Sequence, residues 1–315
     1  MNPAFSVIVF TTLAGAAQGL VVALALATLG GVALSAAFLG GALAVAFVML
    51  IGGLGASFLH LGRPERAWRA AMMWRTSWLS REVIVLPAFI GAVGLWWLAV
   101  RFDAGPAWRS VVLPLAGIAV AALLWYCTAM IYACLRFIEE WSHPLTLVNY
   151  TLTGLASGAV LCAAMAAWAG EAALLRAVAP AALVATVVAG VTRALALRRN
   201  AALRPRSTLQ SATGIAAPRL VQTSMGMSAG SFNTREFFHR ATPQLYRQIR
   251  AAGLLLLFAL PAACMLWALL AARDPAAPAP WLVAVLLQVP GLLADRWFFF
   301  AQARHPQNLY YQVIS

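Results

Sequence analysis

Lysine is missing altogether: the 22 positive residues are all arginine, they face only nine Asp and Glu, and charged residues make up 10% of the 315 positions. So little charge beside a 63% hydrophobic content excludes both a disordered chain and a water-soluble domain. Cysteine is scarce, with four residues at 127, 134, 162 and 264, which excludes a disulfide scaffold. Cys127 and Cys134 are seven apart in an apolar run, a spacing that shares one helical face and reads as packing rather than metal or redox chemistry. The four histidines, at 60, 143, 239 and 305, all fall at helix ends or in loops. A relay of stacked b haems needs axial ligands inside a helical bundle, so the chain is expected to carry no haem.

What is present is a series of long apolar runs. A bilayer core takes about 20 apolar residues in helical form, because every backbone polar group must be satisfied internally. Eight such stretches occur, at 7–29, 35–59, 83–101, 110–135, 146–169, 176–196, 251–272 and 281–301. The expected fold class is therefore all-α: a polytopic membrane protein of eight transmembrane helices, forming a single membrane domain over residues 1–315. The first stretch is read as a retained span and not a signal peptide, because Met1 to Ser6 contains no positive residue and the apolar run is long. Gly15 and Gly19 form a weak helix-packing motif, and no sequence repeat is evident.

Arginine placement gives orientation. Five lie in 60–81 and nine in 197–250, while Arg136 and Arg304 follow the fourth and eighth spans, all on one side. The other side has Arg101, Arg109, Arg176 and Arg273, with Asp103, Glu171 and Asp274 nearby. The positive-inside rule then places both termini in the cytoplasm. In a membrane chain the +13 charge is a topology signal, so no nucleic-acid partner is expected.

The 197–250 segment is too long for a passive turn. Asn233-Thr234-Arg235-Glu236 matches a capping box ahead of Phe237-Phe238, and Thr242-Pro243 looks like an N-cap leading into the seventh span.

A few polar residues stand out against this background. His60 closes the second span, with Gly62 near the C′ position and Pro64 barring continuation. Ser80 is read as the N-cap of the third span and Glu82 as part of its first turn, so antiparallel neighbours would bring His60 and Glu82 to one depth. An imidazole and a carboxylate there could exchange protons with a quinone. Asp295 and Arg296 lie inside the last span, where an ionisable pair suggests either a self-contained ion pair pinning the helix or a proton pathway beside a quinone cleft. Gln18, Asn149, Tyr150 and Arg193 are further candidates for burial, and Trp68, Trp74, Trp78, Trp141 and Trp297 fit an interfacial belt.

His60-Leu61-Gly62-Arg63-Pro64, Ser77-Trp78-Leu79-Ser80-Arg81-Glu82 and Ser231-Phe232-Asn233-Thr234-Arg235-Glu236-Phe237-Phe238, set in an eight-span chain with a basic sixth loop, together resemble the dimethyl sulfoxide reductase anchor subunit family. The resemblance covers nearly the whole chain. It implies a haem-free membrane subunit that holds a four-cluster iron–sulfur subunit and a molybdopterin catalytic subunit, and that exchanges electrons with quinone, either ubiquinone or menaquinone. Substrate chemistry would lie on those partners, since this chain has neither cluster cysteines nor molybdenum ligands. By the same resemblance His60 is the first quinone-site candidate and Glu82 the second, with Arg63, Ser80 and Arg81 around them. Arg204, Arg206, Arg219, Arg235 and Glu236 would dock the electron-transfer subunit, sharing the loop with lipid-contacting arginines.

The best-known family members have exported catalytic subunits, whereas the arginine count puts this docking face in the cytoplasm. That departure favours the branch coupling sulfite oxidation to quinone reduction. The alternatives are an anchor running the other way, oxidising quinol to reduce an S- or N-oxide, a purely structural anchor without quinone, and a secondary transporter. A transporter would be expected to show paired broken helices at the midplane, and the sequence offers no such pair.

Overall fold

The computed structural model describes residues 1–59, 61–204, 207–221, 223, 238–270, 276–306 and 308. Eight helices in it are long and apolar enough to cross a membrane: α1 (Phe5–Leu29), α2 (Ala36–Phe58), α3 (Trp78–Arg101), α4 (Trp108–Ala133), α5 (Pro144–Ala169), α6 (Ala172–Ala201), α8 (Pro243–Leu270) and α9 (Pro278–Ala301). A 3₁₀ run, Pro64–Met73, joins α2 to α3, and a short helix α7 (Leu209–Thr213) lies between α6 and α8. No strand occurs among the described residues. The chain is thus an all-α, multi-pass membrane protein.

All eight expected spans are present, and several helices overrun them. Trp78 to Glu82, Pro243 to Arg250 and Leu197 to Ala201 continue α3, α8 and α6 as helix. Hydropathy marks the hydrocarbon, not the helix, so polar terminal turns escape it. The segment between α6 and α8 is accordingly 202–242.

The ends follow local chemistry. Ser35 accepts from the Phe38 amide at the start of α2, and Thr242 accepts from Leu245 at the start of α8, as the Thr-Pro signal implied. The Ser80 cap is corrected: Ser77 is the N-cap of α3 and accepts from the Ser80 amide at 3.3 Å. The Gly62 reading is corrected too, since α2 stops at Phe58 with Leu59 as its C-cap, and Gly62 is not among the glycines with positive φ. The Asn233–Glu236 capping box lies outside the described residues.

Two prolines are accommodated by π turns placed just before them: Trp108–Val112 ahead of Pro114, and Leu255–Ala259 ahead of Pro261. Proline has no N–H for the carbonyl four residues back and clashes with it. For Pro261 that carbonyl is Leu257 O, and Gln288 of α9 donates to it at 3.3 Å.

Helices α1 and α5 form the centre. Their most apolar stretches are 72% and 67% buried, against 33–44% for the other six. They meet backbone to backbone: a Cβ on Gly19 would lie 1.9 Å from Gly154 O, and one on Gly158 would lie 2.1 Å from Gly19 C. Around this pair α2, α3 and α4 pack on one flank, and α6, α8 and α9 on the other. Their outward side chains, such as Val48, Leu95, Leu123, Val184 and Leu286, are apolar and exposed, as lipid contact requires.

Candidate functional site

The first turn of α3 holds its polar residues in a definite geometry. Arg81 donates from Nε to Trp74 O and from Nη2 to Arg75 O, both at 2.9 Å, and its guanidinium sits 4.0 Å from the Trp78 ring centroid. These contacts staple the end of the 3₁₀ segment to α3 and commit much of the Arg81 donor set to the backbone. Trp78 in turn packs edge-on against Tyr126 of α4 at 5.3 Å. Ser80 and Glu82 are buried, and the Glu82 carboxylate accepts a short hydrogen bond from Thr128 Oγ1 of α4. A carboxyl group one turn inside the membrane boundary is costly without such a partner. Arg63 precedes the 3₁₀ segment and is exposed. His60 lies outside the described residues.

A second polar cluster forms where α5, α6 and α9 meet. The self-contained ion pair expected of Asp295 and Arg296 is not what forms. Asp295 instead accepts from Arg193 Nε of α6 at 2.5 Å, and both side chains are buried. Adjacent residues on a helix point about 100° apart, so each of the two finds a different neighbour. Arg296 faces Tyr150 of α5, its guanidinium 4.0 Å from the ring centroid. Gln18, Asn149, Tyr150 and Arg193 are all buried, as expected; Gln18 donates to Ala121 O at 3.0 Å.

The two clusters are joined by phenols. Tyr132, one turn beyond Thr128 in α4, stacks at 5.9 Å on Tyr150, whose ring lies under the Arg296 guanidinium. Trp141, read from sequence as part of an interfacial belt, is corrected. It is buried against Phe299, donates to Phe299 O at 3.0 Å, and closes an aromatic core with Tyr132 and Phe300. Trp68 and Trp74 are exposed as a belt requires, and Trp297 is half-buried.

On the basic surface Arg204 and Arg219 are exposed; Arg206, Arg235 and Glu236 lie outside the described residues. Arg199 donates to Glu139 O at 2.8 Å and Asn200 to Glu140 O at 3.3 Å, tying the end of α6 to the turn before α5. His143 caps α5 through Nδ1, which accepts from the Leu145 amide at 3.1 Å. Burial, and then the neighbouring Arg199, hold its pKa below the usual 6.5. The cap needs the unprotonated Nδ1 lone pair, so the shift and the hydrogen bond agree.

Among the described residues no group of His, Cys, Asp and Glu has the makings of a metal site. The cysteines are free; Cys127 is buried within α4, whereas Cys134, the C-cap residue at its end, is exposed. Thr128 and Tyr132 were missed from sequence. The available signal was a hydroxyl about one turn from the end of an apolar span, level with Glu82 of the antiparallel neighbour.

Eight apolar spans with their buried charges gathered at one end define a polytopic membrane protein whose polar chemistry lies at one face. Residues 1–302 match the family model described as DMSO reductase anchor subunit (DmsC), so the chain belongs to that family of membrane anchor subunits. It is 45% identical over 330 aligned positions, covering 100% of both chains, to the C subunit of sulfite dehydrogenase from Allochromatium vinosum. A second relative, the anaerobic dimethyl sulfoxide reductase chain YnfH of Escherichia coli, is 30% identical over 121 residues, 38% of this chain and 42% of that one. The chain is accordingly a membrane anchor subunit of a sulfite dehydrogenase or DMSO reductase type of oxidoreductase.

Proposed function

We propose that this anchor holds an iron–sulfur subunit and a molybdopterin catalytic subunit at the cytoplasmic face of a bacterial inner membrane, and passes the electrons of sulfite oxidation to quinone. The observation that carries the substrate is the full-length, 45% identity to the C subunit of a sulfite dehydrogenase. The arginine-rich face, with Arg204 and Arg219 exposed and Arg206, Arg235 and Glu236 in the same loop, supports docking of the electron-transfer subunit there.

The start of α3 suits a quinone headgroup. It offers a buried carboxyl group about one turn inside the boundary, the Trp78–Tyr126 aromatic pair, and Leu79 exposed towards lipid. When bound, quinone supplies a two-electron, two-proton acceptor. His60 and Glu82 would bind and protonate it, Thr128 orients Glu82, and Arg81 fixes the wall by holding the 3₁₀ segment in place. Arg63, which is exposed, and Ser80, which is buried one residue before Arg81, would complete the surroundings of the headgroup. The resemblance over 121 residues to a dimethyl sulfoxide reductase chain supports a second reading, in which the same site oxidises quinol.

The complex purified from membranes should contain molybdenum, iron and quinone and should reduce quinone with sulfite. Glu82→Gln should lower quinone-coupled turnover by at least about tenfold and leave dye-linked sulfite oxidation intact. Quinone turnover at the wild-type rate would remove Glu82 from the site, and activity with S-oxides but not sulfite would reverse the direction.

A further inference from the structure

Two narrow cavities run through the polar half of the bundle and meet at Arg296 and Tyr150. The first is lined by Glu140, His143 and Gln302, near the basic ends of α5 and α9, and by Asn149 and the Arg193–Asp295 pair. The second continues on the far side of Arg296, past Thr11 and Gln18, to Trp125 and Thr128. Thr128 is the residue that donates to Glu82.

The lining is under-satisfied in a way that points to water. Arg296 Nε, Asn149 Oδ1 and Trp125 Nε1 are buried without a hydrogen-bond partner among the described residues, and all three residues line the cavities. Leaving such a group dry costs its full desolvation penalty, whereas a polar cavity of water size fills. The space is too narrow for a headgroup or a quinone ring and suits single waters.

Depth sets the direction of this path. At about 1.5 Å per residue, Glu82, Tyr150 and Arg296 lie about 6–9 Å from the basic ends of α3, α5 and α9. Glu82, Tyr150 and Arg296 are therefore level with one another across the bundle, while Gln18, 13 residues into α1, extends the lining of the second cavity to about 20 Å from the basic end. Along the way the Asp295 carboxylate offsets Arg193, and the face of the Tyr150 ring lies under the Arg296 guanidinium.

We propose that these cavities form one lateral water path through which Glu82 exchanges protons with the aqueous basic face, entering beside His143 and passing Tyr150 and Arg296. The proposal deepens, and rests on, the reading of Glu82 as the proton-exchanging group of the quinone site. Sulfite and water give sulfate, two electrons and two protons; quinone takes up two electrons and two protons to become quinol. With the path open to the basic face, the protons taken up come from the side on which sulfite oxidation releases them.

The test uses the intact complex, with all three of its subunits, in nanodiscs. Cryo-electron microscopy at a resolution that shows water should find ordered waters on Arg296 Nε, Asn149 Oδ1 and Trp125 Nε1. Dry cavities would overturn the path, whatever the quinone site proves to be. Asn149→Leu keeps the branched shape of the side chain but makes it larger and apolar in the lining of the first cavity. It should lower quinone-coupled turnover by about fivefold or more and raise the solvent deuterium isotope effect, with dye-linked turnover unchanged. Thr153→Val, a milder change in the lining, covers the case in which Asn149→Leu fails to assemble. Wild-type turnover and isotope effect in both variants, with Glu82→Gln impaired, would overturn the path and keep the site. Full turnover in Glu82→Gln would instead overturn the site reading.

Discussion

Replacing Gly19 with alanine tests the central contact of the fold. The new Cβ would sit 1.9 Å from Gly154 O, 2.8 Å from Gly154 C and 3.0 Å from Gly158 Cα. These are backbone atoms of a helix and cannot rotate aside, so α1 and α5 must part by roughly 1 Å or more to restore ordinary contact. Overpacking of this kind lies at the upper end of about 1–3 kcal/mol, and the gain in helix propensity from Gly to Ala returns about 1 kcal/mol. The expected net loss is about 2 kcal/mol, roughly a thirtyfold shift in the folding equilibrium. Gly15→Ala in the same helix is the matched control, because its nearest neighbour outside the helix is Arg296 Nη2 at 3.9 Å. Reversible unfolding in mixed micelles, followed by tryptophan fluorescence, reads both variants. If Gly19→Ala proves as stable as Gly15→Ala, the close approach of α1 and α5 is wrong.

Asp295→Asn leaves the Arg193 guanidinium buried without its carboxylate and should cost about 3 kcal/mol in the same assay. The charge-free pair Arg193→Met with Asp295→Leu should recover most of that loss; equal losses in the single and double variants would show that the two residues are not coupled. His143 predicts a pH dependence. Its native pKa is depressed below 6.5, so the native state binds fewer protons than the unfolded chain. The stability it contributes is complete above pH 6.5 and is lost as pH falls from there towards the depressed native value. His143→Asn keeps a capping side chain that does not titrate, so its melting temperature should fall less steeply below pH 6.5 than that of the wild type, and parallel slopes would exclude His143 as a contributor.

The spans were legible because a hydrophobic run of bilayer length has few other physical solutions. Their ends were less so, since polar turns such as Pro243 to Arg250 extend a helix without extending its apolar stretch. Ser77 and Ser80 both satisfy the cap pattern, and the choice between them depends on where the chain leaves the 3₁₀ segment, which local sequence does not record. Glu82 was conspicuous as a charge at a span boundary, but its partner Thr128 is 46 residues away. The partner of Asp295 is 102 residues away, and the adjacent Arg296 supplied a nearer but wrong one. Trp141 shows the same limit from the apolar side: proximity to an arginine-rich turn suggested a belt, while the fold of that turn carries the ring into the aromatic core.

The placement of charge argues against a passive tether. An apolar bundle suffices to hold a protein at a membrane, and replacing a buried ion pair with apolar residues of similar volume is often neutral or stabilising. Here Glu82, Arg193, Asp295 and Arg296 are all buried in the basic half of the bundle. The close glycine seam of α1 and α5 needs none of them, because it is built from backbone contact. On the proposed reading, these ionisable groups serve chemistry at their own depth. That depth is shared by the first turn of α3 and by the waters that its carboxyl group would need.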